Sequence, residues 1–170
     1  MNFFLSIFLP ISLFASFNNL TSFDADFVQT ITDEKNKELV YEVHIKALKP
    51  QNALWEYTKP IDKSVYINSF NVIIVEPEIE QAIIKRLKTS FDFFNMIKAA
   101  KKTSDNQYTT LYGDTIFTIR TDNKKILSIS YIDEFENNVK IIFKNQTNNL
   151  PIKKVTFFPN LPAEYDIIRD

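Results

Sequence analysis

The sequence has 170 residues, the length of a single domain, and its charge is almost balanced, with 20 lysines and arginines against 21 aspartates and glutamates. This balance disfavours nucleic acid as a partner, because no basic excess is present to neutralise phosphates. The chain contains no cysteine, which excludes disulfides, thiolate metal sites, cysteine nucleophiles and a lipid attached at an N-terminal cysteine.

The N-terminal segment, residues 1–15, is uncharged and strongly apolar, and it ends in Ala15 with Ser16 after it. It is too short to span a bilayer, and it predicts a secretory signal peptide that is cleaved after Ala15. No lysine or arginine precedes the apolar run, so a buried N-terminal segment remains an alternative. Residues 16–170 are then expected to form one exported domain.

Alternation of apolar and polar side chains predicts the first two strands. In the first strand Phe23, Ala25 and Phe27 alternate with aspartates. In the second strand the alternating apolar residues are Leu39, Tyr41, Val43 and Ile45. A polar turn at residues 33–36 separates the two strands.

Residues 49–60 hold the only tryptophan between two prolines. Proline is excluded from a central strand, so the two prolines predict the ends of one strand at about residues 53–58. Within it Ala53, Trp55 and Tyr57 are expected on one face, and the residues between them on the other.

Residues 90–102 are the strongest helix candidate. Ser90 is the expected cap, Asp92 lies in the expected first turn, and lysines 98, 101 and 102 lie in the expected last turn. The broad apolar face predicts packing on a sheet, and it consists of Phe93, Phe94, Met96, Ile97 and Ala100.

The remaining sequence predicts strands, first at residues 64–67, 71–75 and 81–84 and then as a β-meander from residue 107. Gly113-Asp114 fits a two-residue hairpin turn, and asparagines fill other turn positions because the chain has one glycine. The last strand is expected at residues 152–158, followed by an extended tail. We therefore expect one mostly antiparallel sheet of about ten or eleven strands with one helix in the middle.

Catalytic groups are difficult to assemble from this sequence. His44 is the only histidine and lies within a predicted strand, where a solvated or sheet-face position is expected. One glycine excludes a G-x-S-x-G nucleophile elbow and a glycine-rich phosphate loop. The acidic residues Glu76, Glu78, Asp133 and Glu134 lie in predicted turns and are expected to be solvated. We therefore expect no enzyme activity, no metal and no cofactor.

Three stretches, taken in order, resemble the LolA family of bacterial periplasmic lipoprotein carriers. Residues 22–29 read Ser-Phe-Asp-Ala-Asp-Phe-Val-Gln, like the opening strand of the family. Residues 49–60 show a basic residue before proline, then tryptophan, a second aromatic residue and a second proline. Residues 155–159, Val-Thr-Phe-Phe-Pro, are similar to the closing strand. The resemblance covers residues 20–168.

The resemblance implies a mainly β fold, a single strongly curved antiparallel sheet that forms an incomplete β-barrel, LolA/LolB-like, under a helical lid. It implies a periplasmic carrier that binds the acyl chains of lipoproteins released from the inner membrane and delivers them to the outer membrane. The implied partners are acylated lipoproteins, an inner-membrane lipoprotein-releasing ABC transporter and an outer-membrane acceptor. A monomer is also implied.

Lys49 occupies the position of the basic residue that latches the lid in this family, where many members have arginine. Lysine lacks the planar donor fork of arginine, so a latch made by Lys49 is expected to be weaker and less directional. The family usually has a large apolar residue two positions before the tryptophan, where this chain has Ala53. This departure concerns the contact with the lid more than the fold.

A curved sheet with a helix on its concave side encloses a cavity, and burial of an acyl chain there would contribute roughly 0.8 kcal/mol per methylene. The concave face of each strand is not fixed by the sequence, and each candidate is equally compatible with ordinary core. By position, the expected lining residues are Phe27, Val43, Leu54, Trp55, Ile67, Ile74, Ile84, Phe93, Phe94 and Ile97.

Two other functions are compatible with the pattern. An envelope sensor or protein-interaction domain could use the same fold and surface. A periplasmic lipid hydrolase would require His44 as its base.

Overall fold

The computed structural model describes residues 17, 19–87, 92–122 and 125–169. In this part of the chain twelve strands form one sheet, an α-helix, α1, spans Phe93–Ala99, and short 3-10 helices span Pro77–Ile79 and Lys154–Phe157. The expected signal peptide, residues 1–15, lies outside the described residues. The strands are β1 (Ser22–Thr32), β2 (Glu38–Leu48), β3 (Asn52–Lys59), β4 (Lys63–Asn68), β5 (Asn71–Glu76), β6 (Gln81–Arg86), β7 (Lys101–Ser104), β8 (Gln107–Tyr112), β9 (Thr115–Asp122), β10 (Lys125–Ile132), β11 (Asn138–Asn148) and β12 (Asp166–Arg169).

The sheet is curved and unclosed, with β12 at one edge and β7 at the other. The strand order is β12-β6-β5-β4-β3-β2-β1-β11-β10-β9-β8-β7. Neighbouring strands are antiparallel except β12 and β6, which are parallel. The predicted fold class, a mainly β chain with one curved sheet under a helix, is confirmed, with twelve strands rather than the expected ten or eleven.

The concave face of the sheet carries the main core. Phe23, Ala25 and Phe27 of β1 are almost completely buried, whereas the aspartates between them lie on the convex face. Register places Phe27 opposite Val43 of β2 and Phe143 of β11, and residues opposite each other in register share a face. The same rule identifies the concave residues of the neighbouring strands, and those of β1 to β5 and β8 to β11 form one apolar cluster with the helix.

Strand β3 lies between Pro50 and Pro60, as the two prolines predict. The Gly113-Asp114 turn also has the predicted form, since Tyr112 pairs with Thr115 across it and Gly113 has a φ of 60°. Asparagine does fill several positions that need a positive φ, namely Asn36, Asn106, Asn145 and Asn149.

Helix α1 is shorter than the predicted segment of residues 90–102. Asp92, not Ser90, is the N-cap, and Ser90 lies outside the described residues. Lys98 is in the last turn as predicted, but Lys101 and Lys102 begin β7. The predicted apolar face is buried on the concave side of the sheet, and each large side chain in it contributes roughly 1.5–3 kcal/mol by this burial.

The C-terminal segment differs from the prediction. The sequence predicts that it adds one strand to the sheet and then continues as an extended tail. The predicted strand at residues 152–158 is replaced by the 3-10 helix Lys154–Phe157, which contacts β3 and β4 and buries Phe157. The expected extended tail instead ends in strand β12, which pairs with β6.

On the convex face, His44 of β2 lies between two aspartates of β1. Its Nδ1 is 2.7 Å from Oδ1 of Asp26, and its Nε2 is 3.3 Å from Oδ1 of Asp24. Asn145 of β11 donates a hydrogen bond of 2.8 Å to Oδ2 of Asp26. The hydrogen bonds from His44 and Asn145 lower the pKa of Asp26. The cluster therefore connects three adjacent strands, and His44 has the sheet-face position that the sequence predicts.

The Asp26 cluster predicts a pH-dependent stability difference. A carboxylate with a lowered folded-state pKa stabilises the fold above its unfolded-state pKa of about 3.9, and this contribution is lost as the pH falls through the folded-state pKa. Asp26→Asn should therefore lower the melting temperature at about pH 5, and the difference from wild type should shrink toward about pH 2.5. Asp114→Asn in the exposed Gly113-Asp114 turn is the control. A difference that stays constant between these two pH values would contradict the assignment.

The cap of α1 predicts a larger loss of stability. Oδ1 of Asp92 accepts a hydrogen bond of 2.9 Å from Asn95 N, and Oδ2 accepts one of 2.7 Å from Asn95 Nδ2. Because Asp92 is buried, Asp92→Ala should lower the free energy of unfolding by about 1–3 kcal/mol. Urea denaturation measures this change.

The matched control is Asp105→Ala, which removes an exposed carboxylate that contacts Lys102. This control should change the unfolding free energy by less than about 1 kcal/mol. Equal effects of the two substitutions would show that the cap does not hold the helix.

Candidate functional site

A continuous row of aromatic rings, which we call the aromatic chain, crosses the concave face from the helix to the far end of β2. Successive ring centroids are 5.6, 5.1, 5.5, 5.7, 5.7, 6.5 and 5.5 Å apart. Several pairs are edge-to-face, the arrangement that aromatic quadrupoles favour. In order the chain is Phe94, Phe93, Phe23, Phe143, Phe27, Trp55, Tyr57 and Tyr41.

An apolar pocket of about 120 Å³ lies beside the aromatic chain, between α1 and the concave face. An apolar cavity of about this size stays dry and accepts small apolar ligands. Its walls come from α1 and from two arms of the sheet, β1 to β3 on one side and β9 to β11 on the other. The lining residues are Phe27, Ile45, Trp55, Phe93, Met96, Phe117, Ile129, Tyr131, Ile141 and Phe143. This composition suits a hydrocarbon ligand that needs no directed bond.

Most of the residues predicted to line a cavity lie on the concave side. Phe27, Trp55 and Phe93 line the pocket itself. Four others belong to the same apolar cluster: Val43, Ile67, Phe94 and Ile97. Ile74 lies opposite Val65 and Ile83 in register, so it is on the concave face of β5 beyond the pocket.

Leu54 and Ile84 lie on the opposite face of the sheet, and the structure does not bring them to the pocket. Leu54 is opposite Tyr66, which is opposite Ile73 and in turn Ile84. Leu54 is buried on the convex side, where the 3-10 helix Lys154–Phe157 contacts β3. Because β3 and β6 carry apolar residues on both faces, their sequences do not show which face is concave.

Sequence reasoning did not name seven residues of the pocket wall. Two of them, Ile45 and Met96, lie on β2 and α1, and the other five lie on β9, β10 and β11: Phe117, Ile129, Tyr131, Ile141 and Phe143. Alternation within β9, β10 and β11 shows that these residues share faces, but the pairing of β1 with β11 is needed to place those faces beside Phe27.

One polar atom in the wall of the pocket is unpaired. Nε1 of Trp55 is buried and has no hydrogen-bond acceptor among the described residues. A buried indole N–H usually finds a partner, and leaving a buried donor unsatisfied costs roughly 1–3 kcal/mol. A ligand that carries an acceptor atom would remove this cost.

Toward the end of β2 that is nearest the β1–β2 turn, the concave face next to the pocket becomes exposed. Along β2 the concave residues become steadily more exposed, from Ala47 at 0% to Leu39 at 45%. Polar groups surround this open end, and we call them the polar collar: Gln29, Tyr41, Tyr57, Lys63 and Tyr131.

Contacts within the polar collar are close. Nζ of Lys63 is 4.4 Å from the ring centroid of Tyr57 and 5.3 Å from that of Tyr41. Burial is the main cause that raises the pKa of Tyr57, and the neighbouring tyrosines 131 and 41 raise it further. Burial also raises the pKa of Tyr131. The hydroxyls of Tyr57 and Tyr131 therefore stay protonated and able to donate hydrogen bonds at physiological pH.

The other end of the aromatic chain meets the predicted latch residue. Nζ of Lys49 lies 5.7 Å from the ring centroid of Phe94 on α1. Nε2 of the nearby Gln51 is 3.4 Å from Oδ2 of Asp92, the cap of the same helix. The loop between β2 and β3 thus contacts α1 through a cation–π pair and one long hydrogen bond.

A larger concavity of about 650 Å³ lies outside the apolar pocket, and its lining includes polar side chains such as Thr30, Glu38 and Lys140. His44 is on the convex face, separated from the pocket by the sheet itself. No group of three or more histidines, aspartates or glutamates in the described ranges could hold a metal ion. No helix in those ranges is long and apolar enough to cross a membrane.

Two solved structures share this architecture. A conserved protein from Thermus thermophilus superposes with a TM-score of 0.57 at 12% identity, over 93% of this chain and 97% of that one. A LolA superfamily protein from Nitrosomonas europaea superposes with a TM-score of 0.55 at 9% identity, over 87% of this chain and 96% of that one. At these identities the likeness concerns the fold.

Other relatives share more of the amino-acid sequence than these two structures do. The chain is 35% identical to an outer-membrane lipoprotein carrier protein of Wolinella succinogenes, over 91% of each chain. It is 37% identical to the protein of that name from Campylobacter jejuni, over 98% of each. The profile of the family described as "Outer membrane lipoprotein carrier protein LolA" matches residues 18–115. The chain therefore belongs to the LolA family.

Proposed function

We propose that this protein carries lipoproteins by burying their acyl chains in the apolar pocket between α1 and the concave face. Members of the LolA family are carriers and not enzymes, and relatives of this chain bear the name outer-membrane lipoprotein carrier protein. The observation that carries the proposal is the pocket itself, whose walls are formed by apolar and aromatic side chains from both arms of the sheet and from the helix.

The binding energy would come from transfer of hydrocarbon out of water. Each methylene buried contributes roughly 0.8 kcal/mol, so a chain of ordinary length is held without a directed bond. A pocket of this kind discriminates poorly between proteins, since it contacts the lipid and leaves the attached polypeptide outside. A carrier for many different lipoproteins needs this property.

The pocket is small for a complete acyl chain. Its volume of about 120 Å³ is below the 300–1,000 Å³ or so of typical ligand pockets. We therefore propose that the pocket widens when an acyl chain enters and that α1 moves away from the sheet. The contact of Lys49 with Phe94 is worth about 0.5–1 kcal/mol at an exposed site, which is weak enough to break when a ligand enters.

The cellular setting follows from the same family. The protein would act in the periplasm as a monomer, receive acylated lipoproteins from an inner-membrane lipoprotein-releasing ABC transporter, and pass them to an outer-membrane acceptor. The names of the relatives support the carriage of outer-membrane lipoproteins, and the transporter, the acceptor and the monomeric state are part of the proposal. The apolar residues 1–15 support export by a signal peptide.

Two neighbouring residues of β11 provide a matched test of the pocket. Ile141 lines the pocket, and Ile142 is exposed on the convex face. Ile141→Phe should partly fill the pocket and weaken binding of a dipalmitoylated lipopeptide by roughly tenfold or more, whereas Ile142→Phe should leave the affinity unchanged. The fluorescence of Trp55, the only tryptophan, reports binding from the wall of the pocket.

Equal affinities of the two variants would place the lipid elsewhere. Absence of binding by the wild-type protein would contradict the carrier proposal itself. Melting temperatures of both variants should be measured alongside, to show that each is folded.

Export predicts a defined N-terminus. The intact mass of the protein recovered from periplasm should correspond to residues 16–170. The matched control is Ala15→Arg, which should block cleavage because signal peptidase sites need a small residue at this position. A periplasmic protein that still contains residues 1–15 would contradict the predicted signal peptide.

A further inference from the structure

The polar collar offers hydrogen-bond donors that the described part of the chain leaves unused or uses only in a long bond. Lys63 lies over the rings of Tyr57 and Tyr41, and it forms no ion pair within residues 17, 19–87, 92–122 and 125–169. The ammonium group therefore keeps its donors available at the mouth of the pocket. The hydroxyl oxygen of Tyr57 is 3.5 Å from Oε1 of Gln29, which is the outer limit for a hydrogen bond.

The collar is continuous with the apolar pocket. Tyr131 belongs to both, since its ring lines the pocket and packs 4.7 Å from Phe117. Tyr57 follows Trp55 in the aromatic chain, at 6.5 Å between ring centroids. A chain that filled the pocket would therefore have its head group among these donors.

The unpaired Nε1 of Trp55 is an independent observation of the same kind. It is a buried donor in the pocket wall, one position along the concave face from Tyr57. Lys63 and the indole N–H of Trp55 can only donate hydrogen bonds, and each tyrosine hydroxyl can donate one. A head group that presents acceptor atoms complements these donors.

An acyl ester has this chemistry, because its carbonyl oxygen accepts hydrogen bonds and the ester has no N–H or O–H to donate. We propose that the polar collar binds the ester carbonyl oxygens at the head of the buried acyl chains, with Lys63 as the principal donor. The carrier would then recognise the acyl-glycerol linkage in addition to the hydrocarbon. This proposal rests on the carrier function proposed above.

A pair of lipopeptides that differ only in the linkage tests the proposal. One carries two palmitoyl chains in ester linkage to a glyceryl-cysteine peptide, and the other carries two hexadecyl chains in ether linkage to the same peptide. The ether probe has the same chain length but lacks the carbonyl acceptors. Titration of the purified protein with each probe, followed by Trp55 fluorescence, gives the two dissociation constants.

The wild-type protein should bind the ester probe about tenfold more tightly than the ether probe, since hydrogen bonds to a charged donor are among the stronger ones. Lys63→Met keeps the aliphatic stem against the tyrosines but removes the donor. It should reduce this preference to about twofold or less while the affinity for the ether probe is retained. Tyr57→Phe should lower the preference by a smaller factor.

The control variant is Lys140→Met. Lys140 is exposed on the convex face of β11, next in sequence to Val139, which is opposite Tyr131 in register. The substitution makes the same change of charge at the same end of the sheet, outside the collar. It should leave the preference for the ester probe at the wild-type value.

The outcomes separate the two proposals. Equal binding of both probes by the wild-type protein would overturn carbonyl recognition and leave the carrier function standing. A preference that survives in Lys63→Met, or that Lys140→Met also abolishes, would overturn the role of Lys63. Failure of both probes to bind would contradict the carrier function itself.

Discussion

The aromatic chain is the contact on which the rest of the structure depends. It begins on α1, crosses β1 and β11 in the middle of the sheet, and ends on β2 and β3, so it joins the helix to both arms through one series of ring contacts. Phe23 has no exposed surface and contacts both Phe93 of the helix and Phe143 of β11. The apolar pocket lies beside these rings, between α1 and the concave face.

Much of the fold follows from local sequence rules. Two prolines fix the ends of β3, alternation fixes the faces of β1 and β2, and the apolar stripe of residues 93–100 fixes the buried side of α1. The positions of Phe27 and Phe93 in the pocket wall follow from the same rules. These two residues lie on elements with one buried face, where a period of two or of 3.6 residues identifies that face without knowledge of the partners.

Other features depend on contacts that local rules do not contain. Strand register places Leu54 and Ile84 on the convex face. The C-terminal 3-10 helix contacts β3 and β4, so Leu54 is buried although it faces away from the pocket. The composition of the same segment predicts a strand at residues 152–158, but the segment forms a 3-10 helix on the sheet. The pocket residues of β9 to β11 depend on the pairing of β1 with β11, which joins positions more than a hundred residues apart.

The unclosed sheet has a geometric consequence. In a closed cylindrical sheet the number of strands and their stagger set the diameter, whereas here β7 and β12 are the two edges of the sheet that the described residues form. Charged residues on both edge strands, such as Lys101 and Asp166, discourage pairing with other chains. The strand count therefore does not fix the diameter of this sheet, and the width of the space beneath α1 depends on how far apart the two edges stand.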